Sequence, residues 1–427
     1  MKKLVVLILT VVMTLSFIVT VQASEDKPYA GVVLNVLGNS SNDSTFMQEN
    51  IAAFEEETGI KVQFEQLSND QLNSKIVVSM GAGGADLDCF MYMAYQNTNQ
   101  YVDNGWLVDL TDYMDEEFDF DDFMPGIRET CMKDGKIYGV PHGSEYVILF
   151  YNKNMINEAG IDVTAIKTWD DLIEACKVVE EKLPGVHGIA LRGQGNGAAA
   201  ITICPARAYG GDYFDAEGNF AIDSDAFCKG IEKYRELYQY AQEGASMMSW
   251  SETCNVFAQK QTAFRLDNDA QYSYLIDPTS SLITRDDIGF MALPAGDAGA
   301  ATANFNWGMA MSYGSKNKEA AWEFIRYMNT KQSCLRKVLE CLAIPSRQSA
   351  LNSEELKAFY PEGYTECELE SDRICAGGIM PNMLHQTEAR ARIGEALDAI
   401  FAGADIKEEM TKANMDIQEM LDEERAE

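Results

Sequence analysis

Apolar positions along the chain change period in a repeating order that predicts strands alternating with helices. Residues 29 to 37 form a β-prone run that ends at the polar turn Gly38-Asn39-Ser40-Ser41-Asn42. Phe46, Met47, Ile51 and Phe54 then recur at helical spacing up to Thr58, where Gly59 supplies a C-cap. Residues 60 to 67 alternate as a strand, so this stretch predicts one parallel βαβ unit. Residues 70 to 80 read as a second helix. The glycines of Gly81-Ala82-Gly83-Gly84 then allow a tight turn into an apolar strand at 87 to 93.

Residues 134 to 161 read DGKIYGVPHGSEYVILFYNKNMINEAGI. Asp134-Gly135 is a turn signal, 136 to 141 is a short β-prone run, and His142-Gly143-Ser144 interrupts it. Residues 146 to 151 are a second apolar run, too short for a helix. Two strands with such a break predict a crossing from one lobe to another.

The second half repeats the alternation. Thr168 caps a predicted helix with acids in its first turn, where they complement the helix dipole, and a strand follows at 186 to 191. The Gly loop 192 to 197, a helix to about 209, a surface hairpin at 212 to 222 and an amphipathic helix at 225 to 242 come next. Short strands are expected at 288 to 294 and 307 to 312, and a helix at 315 to 328 with Ser315 as a capping residue.

Several of these segments carry recognisable wording. In chain order they are DNGWLVDLTDY from Asp103, GK-x-YG-x-P from Gly135, YNK and AGI from Tyr151 and Ala159, and FAQKQTAFRLDND from Phe257. SKNKEAAWEFIRYM from Ser315 and IPSR from Ile344 complete the series. It resembles the extracellular solute-binding proteins of ABC importers, in the sugar-binding group that includes maltose-binding protein. One departure is Ala85, where that family usually has proline before the acid at Asp86.

The resemblance implies an α/β fold of two lobes like that of periplasmic binding proteins. Each lobe would be a mixed, mostly parallel sheet flanked by helices and built from discontinuous chain. Residues 28–143 and 268–329 would form the N-terminal lobe, and 146–265 and 332–427 the C-terminal lobe. Crossings fall near 143 to 147, 265 to 268 and 329 to 332. A ligand held by both lobes favours closure, because only the closed state gains both sets of contacts. The closed form would then be recognised by the membrane permease of an ABC importer.

Composition narrows the choice. The chain has 427 residues, 46% of them hydrophobic, which excludes a disordered chain and predicts two domains or one large one. Lys2 and Lys3 precede an apolar run from 4 to 21, and Val21-Gln22-Ala23 offers a cleavage point, so residues 1–23 read as a secretory signal that could also persist as an anchor. No cysteine lies near that point, which argues against a lipid anchor. The expected location is the periplasm or the outer face of the cell membrane.

Acids outnumber bases 67 to 34, a net charge of −33. Such a surface repels nucleic acid and anionic lipid, and it disfavours an anionic ligand unless the site concentrates arginine locally. A soluble monomer is expected. The ten cysteines contain no C-x-x-C pair, which excludes zinc-ribbon and thioredoxin-like readings. Cys367 and Cys375 could close a surface loop, while the pairing of the ten cysteines stays open.

Catalytic chemistry finds little support. His142, His187 and His385 make no metal spacing, and neither G-x-S-x-G nor a Walker loop occurs. Gly193 to Ala198 fits G-x-G-x-x-A, but no acid follows at the end of a next strand, so the loop reads better as backbone amides offered to ligand hydroxyls. Tyr234, Tyr238 and Tyr240 suggest a ferric site but sit near helical packing spacing. No enzyme activity, cofactor or metal is expected.

A sugar site needs dense polar side chains, because each hydroxyl taken from water without a partner costs about 1–3 kcal/mol. It also needs aromatic rings for the apolar faces. Loops at the C-terminal ends of parallel strands collect such residues. That rule selects Asn39, Ser40, Asp86, Tyr92, Tyr95, Gln96, Gln194 and Asn196. By resemblance, Glu145 and Tyr146 at the hinge and Trp307, with Asn304 and Asn306 beside it, are further candidates, as are Asp267 and Asn268 at the return crossing. The alternatives are the same fold binding a polyamine, an amino-acid derivative or a metal chelate, and a secreted glycoside hydrolase.

Overall fold

The computed structural model describes residues 27–143 and 145–426, so the expected signal at 1–23 lies outside the described residues. The chain opens with β1 (Val33–Asn39), α1 (Asn42–Thr58) and β2 (Lys61–Leu67), and β1 and β2 pair in parallel. Gly59 ends α1 at φ 76°, its N–H donating to Glu55 O, as the sequence predicts. α2 (Asn69–Gly81) begins in a capping box between Ser68 and Gln71 and leads to β3 (Cys89–Met93) and α3 (Ala94–Asp103).

β4 (Val140–Gly143) and β5 (Val147–Asn152) are the two strands of the first crossing. α4 (Trp169–Lys182) has the predicted Thr168 cap, here a capping box with Asp171. It is followed by β6 (His187–Ala190), α5 (Asp225–Tyr238), α6 (Trp250–Ala258), β7 (Thr262–Asn268) and β8 (Ile288–Met291). β9 (Thr302–Asn304), β10 (Trp307–Met311), α7 (Lys318–Met328), α8 (Lys331–Cys341) and α9 (Tyr364–Arg373) come next. β11 (Cys375–Gly378), α10 (Gln386–Phe401) and α11 (Ile406–Ala426) complete the elements used below.

Two main sheets form. The first has the order β2-β1-β3-β10-β4 and the second β8-β5-β7-β6. In each sheet a single strand runs against the others, β10 in the first and β5 in the second, and each is the strand that arrives from the other lobe. The continuous apolar run of β5 follows from burial on both faces. Val147 and Leu149 enter a core with α4, α5, α10 and α11, while Ile148 and Phe150 enter another with α6, β8 and α9.

Two lobe boundaries differ from the sequence expectation. β8 pairs antiparallel with β5, so residues 288–291 belong to the second sheet and the return crossing falls near 302–306, not 265–268. There Tyr146 bridges Asn304 and Phe305 N donates to Glu145 O at 2.8 Å, so the two crossings run side by side. α8, assigned by resemblance to the second lobe, packs on α1 of the first, where Lys337 Nζ lies 2.9 Å from Asp43 Oδ1 with its side chain fully buried. All ten cysteines are free thiols, so Cys367 and Cys375 do not close a loop.

Candidate functional site

The polar turn after β1, the crossings and the loops after β6 and β7 open onto one cavity of about 390 Å³ between the lobes. That volume is within the range of about 300–1,000 Å³ usual for small-ligand sites. On the first-lobe side, Asn39 Oδ1 accepts from Ser41 Oγ at 2.6 Å, and Ser41 caps α1, so the cap that starts the helix also fixes the cavity wall. Tyr95 and Phe305 meet edge to face with centroids 6.4 Å apart. On the second-lobe side, Trp250 and Tyr274 lie 6.2 Å apart and stay 44% and 57% exposed, a large apolar surface left open to the cavity.

Glu145 stands at the first crossing. Its Oε2 accepts from Asn268 Nδ2 at 2.9 Å. Burial first, then the charges of Asp269 and Asp43, push its carboxyl well above the usual range, with Arg192 pulling the other way.

Arg192 follows β6 and donates Nε to Asp267 Oδ2 at 2.9 Å, with Nη2 on Oδ1, a two-pronged pair in a buried setting. Asp267 also takes Arg265 at 3.0 Å. Burial alone would raise the Asp267 carboxyl, but the two arginines together hold it below the usual range. On α10, Arg390 Nε donates to Asn196 O at 2.9 Å, and its guanidinium borders the cavity without a salt bridge among the described residues. Burial and the nearby charge of Arg192 lower its pKa.

The model of the bacterial extracellular solute-binding protein family matches residues 38–333. The chain belongs to that family. Among its relatives, the mannitol-binding protein of Pseudomonas aeruginosa is 25% identical over 305 residues, covering 70% of this chain and 69% of that one. A probable amino-acid ABC transporter periplasmic-binding protein of Sinorhizobium fredii is 26% identical over 354 residues, 81% of this chain and 79% of its own. The solute-binding protein of Agrobacterium radiobacter solved with ribitol superposes with a TM-score of 0.78 at 22% identity, covering 92% of this chain and 99% of that one. The two-lobe α/β fold is therefore that of the periplasmic binding proteins.

In this solute-binding protein six of the expected residues share the cavity: Asn39, Ser40, Tyr95, Glu145, Asn268 and Trp307. Two stand directly behind it, Asp267 through Arg192 and Asn196 through Arg390. The rest lie elsewhere for local reasons. Asp86 precedes β3, at the opposite strand end from the cavity, and accepts from Ser79 Oγ at 2.5 Å. Tyr92 points into the core, its hydroxyl 3.0 Å from Thr98 Oγ1, and Gln96 faces a separate surface groove.

Tyr146, Asn304 and Asn306 are buried in the crossings. The Tyr146 hydroxyl donates to Asp372 at 2.6 Å, Asn304 Nδ2 to Gly126 O at 3.3 Å, and Asn306 Nδ2 to Thr130 Oγ1 at 2.6 Å. Gln194 is exposed outside the cavity. Three amides of the Gly loop are already taken, since Gly193 and Gln194 N–H donate to Met248 O and Gly195 N–H to Asp398 Oδ1 at 2.7 Å. An acid at that amide excludes a phosphate there. Gly195 is glycine because any Cβ would overlap the Gly394 carbonyl of α10. Tyr234 and Tyr238 stack on Phe401, as packing residues do.

Arg192, Trp250, Tyr274, Gln271 and Arg390 line the cavity without having been selected from the sequence. Arg192 carried a signal, since it follows a predicted strand directly. Arg390 sits in the first turns of a helix, where strand-end reasoning has no reach.

Proposed function

We propose that this chain captures a sugar or oligosaccharide between its lobes and presents the closed form to the permease of an ABC importer. One observation carries the reading: both lobes contribute polar side chains and aromatic rings to the same cavity. Asn39, Ser40, Tyr95 and Trp307 come from one wall, and Asn268, Trp250 and Tyr274 from the other, with Glu145 at the crossing. Polar groups of this density offset the loss of water from hydroxyls, and the rings cover C–H faces. The mannitol-binding relative and the ribitol-bound neighbour support the carbohydrate class. The protein would work as an exported monomer and release its ligand unchanged.

The test is a thermal-shift screen of residues 24–427 against sugars, sugar alcohols, sugar acids, polyamines and amino acids. A ligand at a hundredfold over its dissociation constant adds about 2.7 kcal/mol. Stabilisation by a carbohydrate that is recovered intact supports the reading. Stabilisation by amino acids or polyamines alone overturns the ligand class, and conversion of a bound glycan overturns the transport role.

A further inference from the structure

The cavity wall carries charge of the opposite sign to the rest of the protein. Asp267 is shared between Arg192 and Arg265, so that buried cluster keeps one positive charge. Arg390 adds a second, held by its Nε on Asn196 O so that its two terminal nitrogens remain for a ligand. Against them stands Glu145, while Asp43, which also borders the cavity, is paired with Lys337. Three guanidinium groups face two carboxylates, since burial holds the Asp269 carboxyl behind Glu145 in its neutral form. Even with Glu145 ionised, the wall is positive by one charge in a chain whose net charge is −33.

A neutral ligand would leave that charge desolvated and unmatched when the lobes close, which costs free energy. An arginine fork matches a carboxylate with two parallel hydrogen bonds. A phosphate dianion would exceed the available charge and face Glu145 and Asp43 across the cavity.

Resting on the carbohydrate reading above, we infer that the ligand is a sugar acid whose single carboxylate is bound by the terminal nitrogens of Arg390. Arg192 supplies the supporting field, and the aromatic surfaces of Trp250 and Tyr274 take the ring or chain.

Titration calorimetry of residues 24–427 with matched pairs tests this: glucuronate and glucose, galacturonate and galactose, gluconate and glucitol, with glucose 6-phosphate as the dianion. At least one acid should bind tenfold or more tighter than its neutral partner. R390Q should reduce that acid-over-neutral ratio by about tenfold to a hundredfold, the range for hydrogen bonds to a charged group. R390K, which keeps the charge and loses the fork, should reduce it less while melting with the parent. A neutral sugar bound as tightly as its acid overturns the inference and leaves the sugar-binding reading standing. Preference for the phosphate overturns the carboxylate assignment. Failure of every carbohydrate, acid and neutral, overturns both.

Discussion

Asn42 Nδ2, at the start of α1, lies 3.3 Å from Ser273 Oγ in the segment after β7 and 3.1 Å from Leu342 O. The two walls therefore touch directly at the edge of the cavity. Ser273→Ala removes only the contact between lobes and leaves the Asn42 bond to Leu342 in place. A bond of this kind contributes about 0.5–1.5 kcal/mol. Ligand affinity by calorimetry should fall about two- to tenfold.

The Arg192–Asp267–Arg265 cluster is a stability element as well as a wall of the site. Asp267→Asn leaves two buried guanidinium groups without their shared carboxylate. Breaking a buried pair in this way costs about 3–5 kcal/mol. Urea denaturation should show a lower midpoint of that size with an unchanged slope.

Beneath the crossings, Asp269 and Glu368 are both fully buried, and Asp269 Oδ2 and both Glu368 carboxylate oxygens have no hydrogen-bond partner among the described residues. Tyr146 N–H donates to Asp269 Oδ1 at 3.1 Å. Burial first, and then the charge of Glu368, raise the Asp269 carboxyl well above its usual range. Burial also pushes Glu368 up to about 7, with the neighbouring Asp269 working the other way and Asp372 adding to the rise. The folded protein therefore holds protons that the unfolded chain releases near pH 4.5. This stabilisation is complete below that pH and is lost as the pH rises through about 7. Melting temperature should fall between pH 5 and pH 8, and Glu368→Gln should flatten that fall.

Trp250 has 44% of its surface exposed at the cavity and carries little of the core. Trp250→Ala should weaken ligand binding about tenfold, near 1.4 kcal/mol, through lost aromatic surface. The melting temperature of the free protein should stay within a degree or two of the parent.

The first βαβ unit was legible in the sequence because the period of 46, 47, 51 and 54 and the glycine at 59 admit little else. The return crossing was not. An apolar tetrad such as 288–291 specifies a strand but not its partner, and pairing with β5 is decided by chain geometry beyond the reach of periodicity. The same division holds at the site. Asn39, Ser40 and Tyr95 follow strands whose C-terminal ends face the cavity, so the strand-end rule finds them. Asp86 fails because it enters its strand, and Arg390 was missed because a helix from the far end of the chain delivers it.

The reversed strand in each sheet bears on when the protein can fold during synthesis. β10 stands between β3 and β4, so the first sheet stays split until residues 307–311 have emerged. The second lobe waits longer still, since α10 and α11, which cover one face of its sheet, come after every other element described above. Neither half can close its core on a nascent chain that is still short. A chain wired this way gains both cores late, so a folding intermediate that lacks residues 307–401 leaves apolar faces of both sheets exposed.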